Sequence, residues 1–239
     1  MKIIPSLALL AAVAAVGLCS PSLHAADEDG VALAIIYDTS GSMRDPVRDE
    51  SGGSTPKYLI ANRALLAVTK QLQAFATNNP GGAPRKIYAG LFIFQGQGAR
   101  EVVKLGPFDP AAFEDWATHF SNPSGNTPLG NALNTASRAV LDSPLSRKHV
   151  LVITDGMNTA GPPPEVVLPR VKKQADQKQA SLSVHFVAFD VNAKVFDPIK
   201  KLGATVVSAA DEKQLNSQLD FILKRKILLE EEEPAAKAK

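Results

Sequence analysis

Cysteine is nearly absent from this chain: Cys19 is the only one among 239 residues. It lies in an N-terminal stretch that reads as a removable leader, so the remaining chain offers no disulfide, thiol nucleophile or thiolate metal site. An excess of charge is missing too, since 26 basic residues nearly balance 24 acidic ones for a net charge of +2. Nothing in that balance points to a binder of nucleic acid or another polyanion. Long hydrophobic runs are missing except for one, LALLAAVAAVGL from Leu7 to Leu18. A spanning helix needs about 20 apolar residues, so this run is too short to cross a bilayer. No internal repeat is present.

What is there fits a secretory leader followed by one globular domain. Lys2 gives the positive start, the apolar run follows, and Pro21 leads to Leu23-His24-Ala25-Ala26. This three-part layout is that of a signal peptide, with cleavage expected after Ala25. Leu18 stands before Cys19, where a lipidation signal needs a small residue, so no lipid anchor is expected. The mature chain is then secreted, periplasmic or extracellular, without a membrane span. Hydrophobic content of 45% and charged content of 21% suit a single large domain, which can bury a core without covalent staples. The expected layout is leader 1–25, domain 30–226, and a charged, disordered tail 227–239 containing EEEEPAAKAK.

Strand and helix signals alternate along the domain. Val31–Tyr37 (VALAIIY), Ile87–Phe94, His149–Thr154 and Leu182–Phe189 are unbroken apolar runs, as expected of strands buried on both faces. A short Gly-containing link joins the second run to Glu101–Leu105, predicting an antiparallel strand at a sheet edge. Ala204–Val207 is a last short strand. Thr55-Pro56 and Thr127-Pro128 each read as a helix cap followed by proline at the first helical position. Tyr58, Ala61, Leu65, Val68, Leu72 and Phe75 form one helical face. Asn79–Pro84 ends that helix. Further helices are expected over 109–120, after Thr127-Pro128, over 165–179, over 195–202 and from Asp211 to about Lys226. Met43–Thr55 reads as a long loop. The order predicts an α/β fold with helices on both faces of a mostly parallel sheet.

Two of the buried strands end in aspartate. Asp38 begins the turn Asp38-Thr39-Ser40-Gly41-Ser42, and Asp155 sits in Thr154-Asp155-Gly156. Ser40 and Ser42, two apart on a looped backbone, can converge on one point, and Gly41 lets the turn form close to a ligand. In open α/β sheets ligands gather beyond the carboxyl ends of the strands. Hard oxygen donors supported by carboxylates suit Mg²⁺, and less exclusively Mn²⁺ or Ca²⁺. Thr127, behind Gly125-Asn126, is the candidate for a third hydroxyl. Each residue alone has a plainer reading as a cap or turn residue; together they make a candidate metal set of Asp38, Ser40, Ser42, Thr127 and Asp155.

From about Val31 to about Leu223 the sequence resembles the von Willebrand factor A, or integrin I-like, domain. That family's metal-ion-dependent adhesion site combines a D-x-S-x-S turn, a distant threonine and an aspartate in a T-D-G-like setting. The resemblance implies a six-stranded doubly wound sheet of order 3-2-1-4-5-6 with strand 3 antiparallel, which puts Asp38 and Asp155 on adjacent strands. It also implies that Ser40, Ser42 and Thr127 contact the ion, that Asp38 and Asp155 act through water, and that a protein partner's Asp or Glu completes the coordination. No catalytic activity is implied.

Two other functions compete. One is a structural subunit of an envelope assembly. The other is a metal-dependent hydrolase with Asp38 as nucleophile; it expects an acid two residues on, where Ser40 stands, and no lysine or histidine is evident near the site. His149 and His185 read as packed strand residues, Trp116 as a cover for the sheet, and Asp45, Asp49 and Glu50 as a solvated loop rather than a second ion site.

Overall fold

The computed structural model describes residues 28–77 and 85–229. The leader (1–25), the helix-ending segment Asn79–Pro84 and the tail from Glu230 therefore lie outside the described residues.

The core of the molecule is one mixed sheet. Its strands are β1 (Glu28–Tyr37), β4 (Ile87–Gln95), β5 (Gly98–Pro107), β6 (Leu145–Thr154), β7 (Ser181–Phe189) and β8 (Thr205–Ala209), in the order β5-β4-β1-β6-β7-β8. Counted within this sheet alone, the order is the expected 3-2-1-4-5-6. All neighbours pair in parallel except β4 and β5, the hairpin at the edge. The strands run two to four residues beyond the apolar runs at several ends, because backbone pairing continues where side chains turn polar. β2 (Pro46–Arg48) and β3 (Ser54–Pro56) form a separate antiparallel hairpin.

Both faces of the sheet are covered. Val31, Leu33, Ile35 and Tyr37 of β1 pack with Leu65, Val68 and Leu72 of α1 (Lys57–Thr77), Phe113 of α2 (Pro110–His119), and Leu215 and Leu219 of α6 (Glu212–Ile222). Ala32, Ala34 and Ile36 face the other way, against Leu133 and Ala136 of α3 (Leu129–Leu141), Leu168 and Val171 of α4 (Pro164–Gln177), and Ile199 of α5 (Asp197–Lys201). This explains VALAIIY: alternate residues of the strand enter two different cores, so neither parity can be polar. Each such Leu or Ile contributes about 1.5–3 kcal/mol on burial. Trp116 covers the sheet as expected, stacked on Phe120 at 4.8 Å and edge-on to Tyr37 at 4.9 Å.

Two cap expectations are corrected. Thr55-Pro56 belongs to β3, and α1 starts at Lys57; Thr55 instead donates its hydroxyl to Asp49 Oδ2 at 2.7 Å. Pro128, not Thr127, precedes α3, and the amide of Gly130 in its first turn donates instead to Asn158 Oδ1 at 3.3 Å. The predicted loop 43–55 is mostly structured. It holds a 3₁₀ turn (Gly41–Arg44) pinned by buried Met43, and the β2–β3 hairpin, whose turn Asp49 organises by accepting from Ser51 Oγ, Gly53 N and Thr55 Oγ1. Those bonds hold the Asp49 carboxyl down to about 2. The hairpin leans on α6, where Glu212 accepts from Glu50 N at 3.0 Å and from Arg63 Nε at 2.7 Å, and Asn216 donates to Glu50.

After α6 the backbone widens into a π-helical segment, Leu223–Leu228, whose Ile227 and Leu228 are buried. It thus carries on past residue 226, where the sequence reading ended the domain. Its last turn reaches the start of β6, with Arg147 Nη1 donating to Leu228 O at 3.5 Å. No helix among the described residues is long and apolar enough to cross a membrane.

Candidate metal site

β1 and β6 are neighbours, with Tyr37 opposite Ile153, so Asp38 and Thr154–Asp155 emerge side by side at the carboxyl end of the sheet. Asp38 is fully buried. Its Oδ1 accepts from Ser40 N at 2.7 Å and its Oδ2 from Thr154 Oγ1 at 2.6 Å. The first bond closes the turn on the aspartate itself, as short polar side chains commonly do. Burial, and then the nearby Asp155 charge, push the Asp38 carboxyl up to about 6, against the hydrogen bonds from Ser40 and Thr154 that pull it down. An ionised Asp38 is therefore short of positive charge.

The hydroxyls converge. Ser40 Oγ lies 3.1 Å from Ser42 Oγ, and Ser42 Oγ donates to Asp155 Oδ1 at 2.8 Å, joining residues 113 apart in sequence. Ser40 and Asp155 are buried, while Ser42 is exposed and opens the group to solvent. The 121–128 loop is zipped to the turn by Gly41 N to Gly125 O at 3.2 Å and Ser124 N to Thr39 O at 2.7 Å. Gly125 takes a φ of +88°, where a side chain would be strained.

Thr127 is brought to the same end of the sheet but not into this hydrogen-bonded chain. It is buried, and its hydroxyl adjoins Gly156, 3.8 Å from where a Cβ there would stand. Its backbone is fixed by a reciprocal pair with Thr159: Thr127 N donates to Thr159 Oγ1 at 2.8 Å and Thr159 N to Thr127 O at 2.9 Å. Of the five residues predicted, Asp38, Ser40, Ser42 and Asp155 are thus directly linked, and Thr127 stands beside them.

Three residues escaped sequence reading. Thr154 looked like the last apolar-strand residue, yet its hydroxyl serves Asp38. Lys57 is buried and its Nζ lies 3.0 Å from Asp155 Oδ2 and 3.0 Å from Asp190 Oδ2. Burial would lower its pKa, but the bonds to Asp190 and Asp155 outweigh it and raise it, so Lys57 is a cation. Asp190, just beyond β7, has a left-handed backbone with φ 52°. The expectation of no lysine near the site is therefore corrected: the lysine is remote in sequence from Asp155 and arrives on α1. It bonds Asp155 and Asp190, not Asp38. A signal existed, because a cation in the first turn of a helix opposes the helix dipole and calls for a local anion.

The donor set suits a hard divalent cation: hydroxyl oxygens from Ser40 and Ser42, with Asp38 and Asp155 carboxylates behind them. No group of three or more His, Cys, Asp or Glu able to hold a metal occurs among the described residues. A site here would depend on the hydroxyls.

Comparison with known proteins agrees with this architecture. The sequence profile described as von Willebrand factor type A domain matches residues 33–158, more than half of the chain. No curated protein matches. Among solved structures, the PilB minor pilin from Streptococcus sanguinis superposes with TM-score 0.60 at 16% identity, over 82% of this chain and 61% of the pilin. Proximal thread matrix protein 1 from the mussel byssus, in a form with a zinc-occupied MIDAS motif, gives 0.57 at 15% identity, over 82% and 48%. The vWF domain of the type V pili tip protein Mfa5 from Porphyromonas gingivalis gives 0.54 at 12%, over 81% and 94%. The chain spans about three fifths of the pilin and half of the byssus protein, and at these identities the likeness is one of fold.

Proposed function

Since this chain belongs to the von Willebrand factor type A domain family, we propose that it is a secreted protein-interaction module holding a divalent cation at Asp38, Ser40, Ser42, Thr127 and Asp155. The expected ion is Mg²⁺, with Mn²⁺ or Ca²⁺ as alternatives. The partner is a protein that offers an Asp or Glu carboxylate, and the location is the periplasm or the extracellular space. No catalysis is assigned.

The observation that carries this reading is the chain Ser40 Oγ–Ser42 Oγ–Asp155 Oδ1, at 3.1 and 2.8 Å, beside buried Asp38. Ser40 and Ser42 would hold the ion directly, with Thr127 joining from beside Gly156. Asp38 and Asp155 would supply charge, Asp38 being kept in place by Thr154. When bound, the cation supplies the positive charge that captures a partner's carboxylate, because neutral hydroxyls leave much of that charge uncompensated. Ser42 is exposed, so the approach to the site is open to a partner side chain. Pilus and byssus proteins among the structural relatives are in keeping with an adhesive or assembly role.

Titration calorimetry with Mg²⁺ and Mn²⁺ tests the metal, with Asp38→Ala as control. A pull-down from the native envelope, with and without chelator, tests the partner. Absence of metal binding together with an unchanged Asp38→Ala variant sinks the reading. Association indifferent to chelator favours a purely structural subunit.

A further inference from the structure

The carboxyl end of the sheet already contains a cation of its own. Lys57 Nζ is 3.0 Å from Asp155 Oδ2, and the lysine and aspartate side chains are 7% and 0% exposed. The opposite oxygen of the same carboxylate, Oδ1, accepts from Ser42. Asp155 therefore stands between the serine hydroxyls on one side and an ammonium on the other. The ammonium has a second partner in Asp190 Oδ2, also at 3.0 Å, whose side chain is 40% exposed. Asp190 borders a cavity of about 540 Å³ shared with Asn192, Lys194 and Ser208. Lys57 thus has one buried and one solvent-facing carboxylate.

This placement costs something locally. Lys57 is the first residue of α1, where the helix dipole disfavours positive charge. It is held there by its own amide, which donates to Asp45 O at 3.0 Å, and by the two carboxylates. A buried lysine so placed compensates the charge of Asp155, which would otherwise be left unpaired inside the fold.

We propose that Lys57 is a resident counter-cation that sets the affinity of the Asp38–Asp155 site for divalent ions: it stabilises the domain without metal and weakens metal binding by offsetting one carboxylate charge. Asp190 has the opposite effect, because it shares the ammonium and adds negative charge. The inference rests on the metal reading of the site. It makes the domain a folded, low-affinity receptor for cations rather than one whose fold depends on them.

The test compares the full chain with Lys57→Met and Asp190→Asn at one pH and low ionic strength, by Mn²⁺ calorimetry and by thermal unfolding in EDTA. One unit charge a carboxylate's width away from a divalent ion is worth about tenfold in affinity even at the dielectric of water. Lys57→Met is expected to bind Mn²⁺ about tenfold more tightly or better, to unfold at lower temperature in EDTA, and to gain more Tm from Mn²⁺ than wild type does. Asp190→Asn is expected to bind several-fold more weakly while remaining folded. Opposite shifts are not produced by simple loosening of the site, which weakens both. Equal or weaker binding by Lys57→Met overturns the proposal. So does unchanged or tighter binding by Asp190→Asn, which decides the matter if Lys57→Met does not fold. Absence of Mn²⁺ binding in wild type and Lys57→Met alike overturns the metal reading itself.

Discussion

Thr154 Oγ1 donates to Asp38 Oδ2 at 2.6 Å, across the seam between the two central strands. The same hydroxyl lies 3.3 Å from Gly156 N, which donates to it. One side chain therefore fixes the buried carboxylate of one strand and the turn that ends the other.

Thr154→Val keeps the shape and removes the hydroxyl. A hydrogen bond to a charged, buried carboxylate is worth about 1.5–3 kcal/mol, and that loss of stability is expected in urea unfolding. Affinity for Mn²⁺ should also fall, because Asp38 loses its orientation. A variant as stable as wild type would show that the bond carries no weight.

Tyr37 stands at the end of β1, with its hydroxyl donating to Asn62 Oδ1 at 2.7 Å and also lying 3.0 Å from Tyr58 O. Asn62 in turn donates to Phe120 O at 2.9 Å. Tyr37→Phe leaves a buried amide oxygen without its donor, at an expected cost of about 1–3 kcal/mol. Denaturant midpoints of Tyr37→Phe and of the Tyr37→Phe/Asn62→Leu pair check this: the double variant should recover part of the loss.

Gly130 has no room for a side chain. A Cβ there would stand 2.0 Å from Pro162 O, so Gly130→Ala must displace the backbone that follows the Asp155 turn. The expected penalty is about 1–3 kcal/mol, typical of overpacking. Thermal unfolding measures it, and an unaltered Tm would contradict the close approach.

His149 and His185 are stacked and buried, with Nδ1 of one 3.3 Å from Nε2 of the other. Burial lowers both, His149 to about 3 and His185 to about 4, with the neighbouring His185 charge adding to the first and Lys226 to the second. The unfolded chain then binds more protons than the folded one below the ordinary histidine value of about 6.5. The stability these residues lend is full above that pH and drains away as pH falls towards 4. Replacing both, as His149→Met/His185→Leu, should flatten the loss between pH 6.5 and 4.5 in a Tm-against-pH series; an identical slope would remove the pair from the account.

The sheet was legible because its strands are buried on both faces. VALAIIY, IYAGLFIF and HVLVIT leave no polar parity for a helix or an exposed strand to use, and the short Gln95–Ala99 link forces an antiparallel edge. The four linked donors were legible because they sit on two strand ends in short polar strings. What was not legible depends on partners outside the local cap and strand patterns. Thr55 and Thr127 have the look of caps, but other hydrogen bonds claim them: the first serves Asp49 within the β2–β3 hairpin, and the backbone of the second pairs with Thr159, 32 residues on. Lys57 gives no string to read, since Asp155 and Asp190 lie far along the chain. The hairpin inside 43–55 was hidden because its residues are polar and its order comes from Asp49 and from contacts with α6.

The Arg147–Leu228 contact has a consequence for how the domain can be mounted. It places the end of the last helical segment beside the beginning of β6, and β1 starts at that same pole, where Glu28 N meets Pro144 O at 2.7 Å. Both flanks of the described fold therefore leave from one side, and the Asp38–Asp155 cluster lies at the other. A surface or further polypeptide joined directly at Glu28 or Leu229 would therefore sit at the pole opposite the cluster.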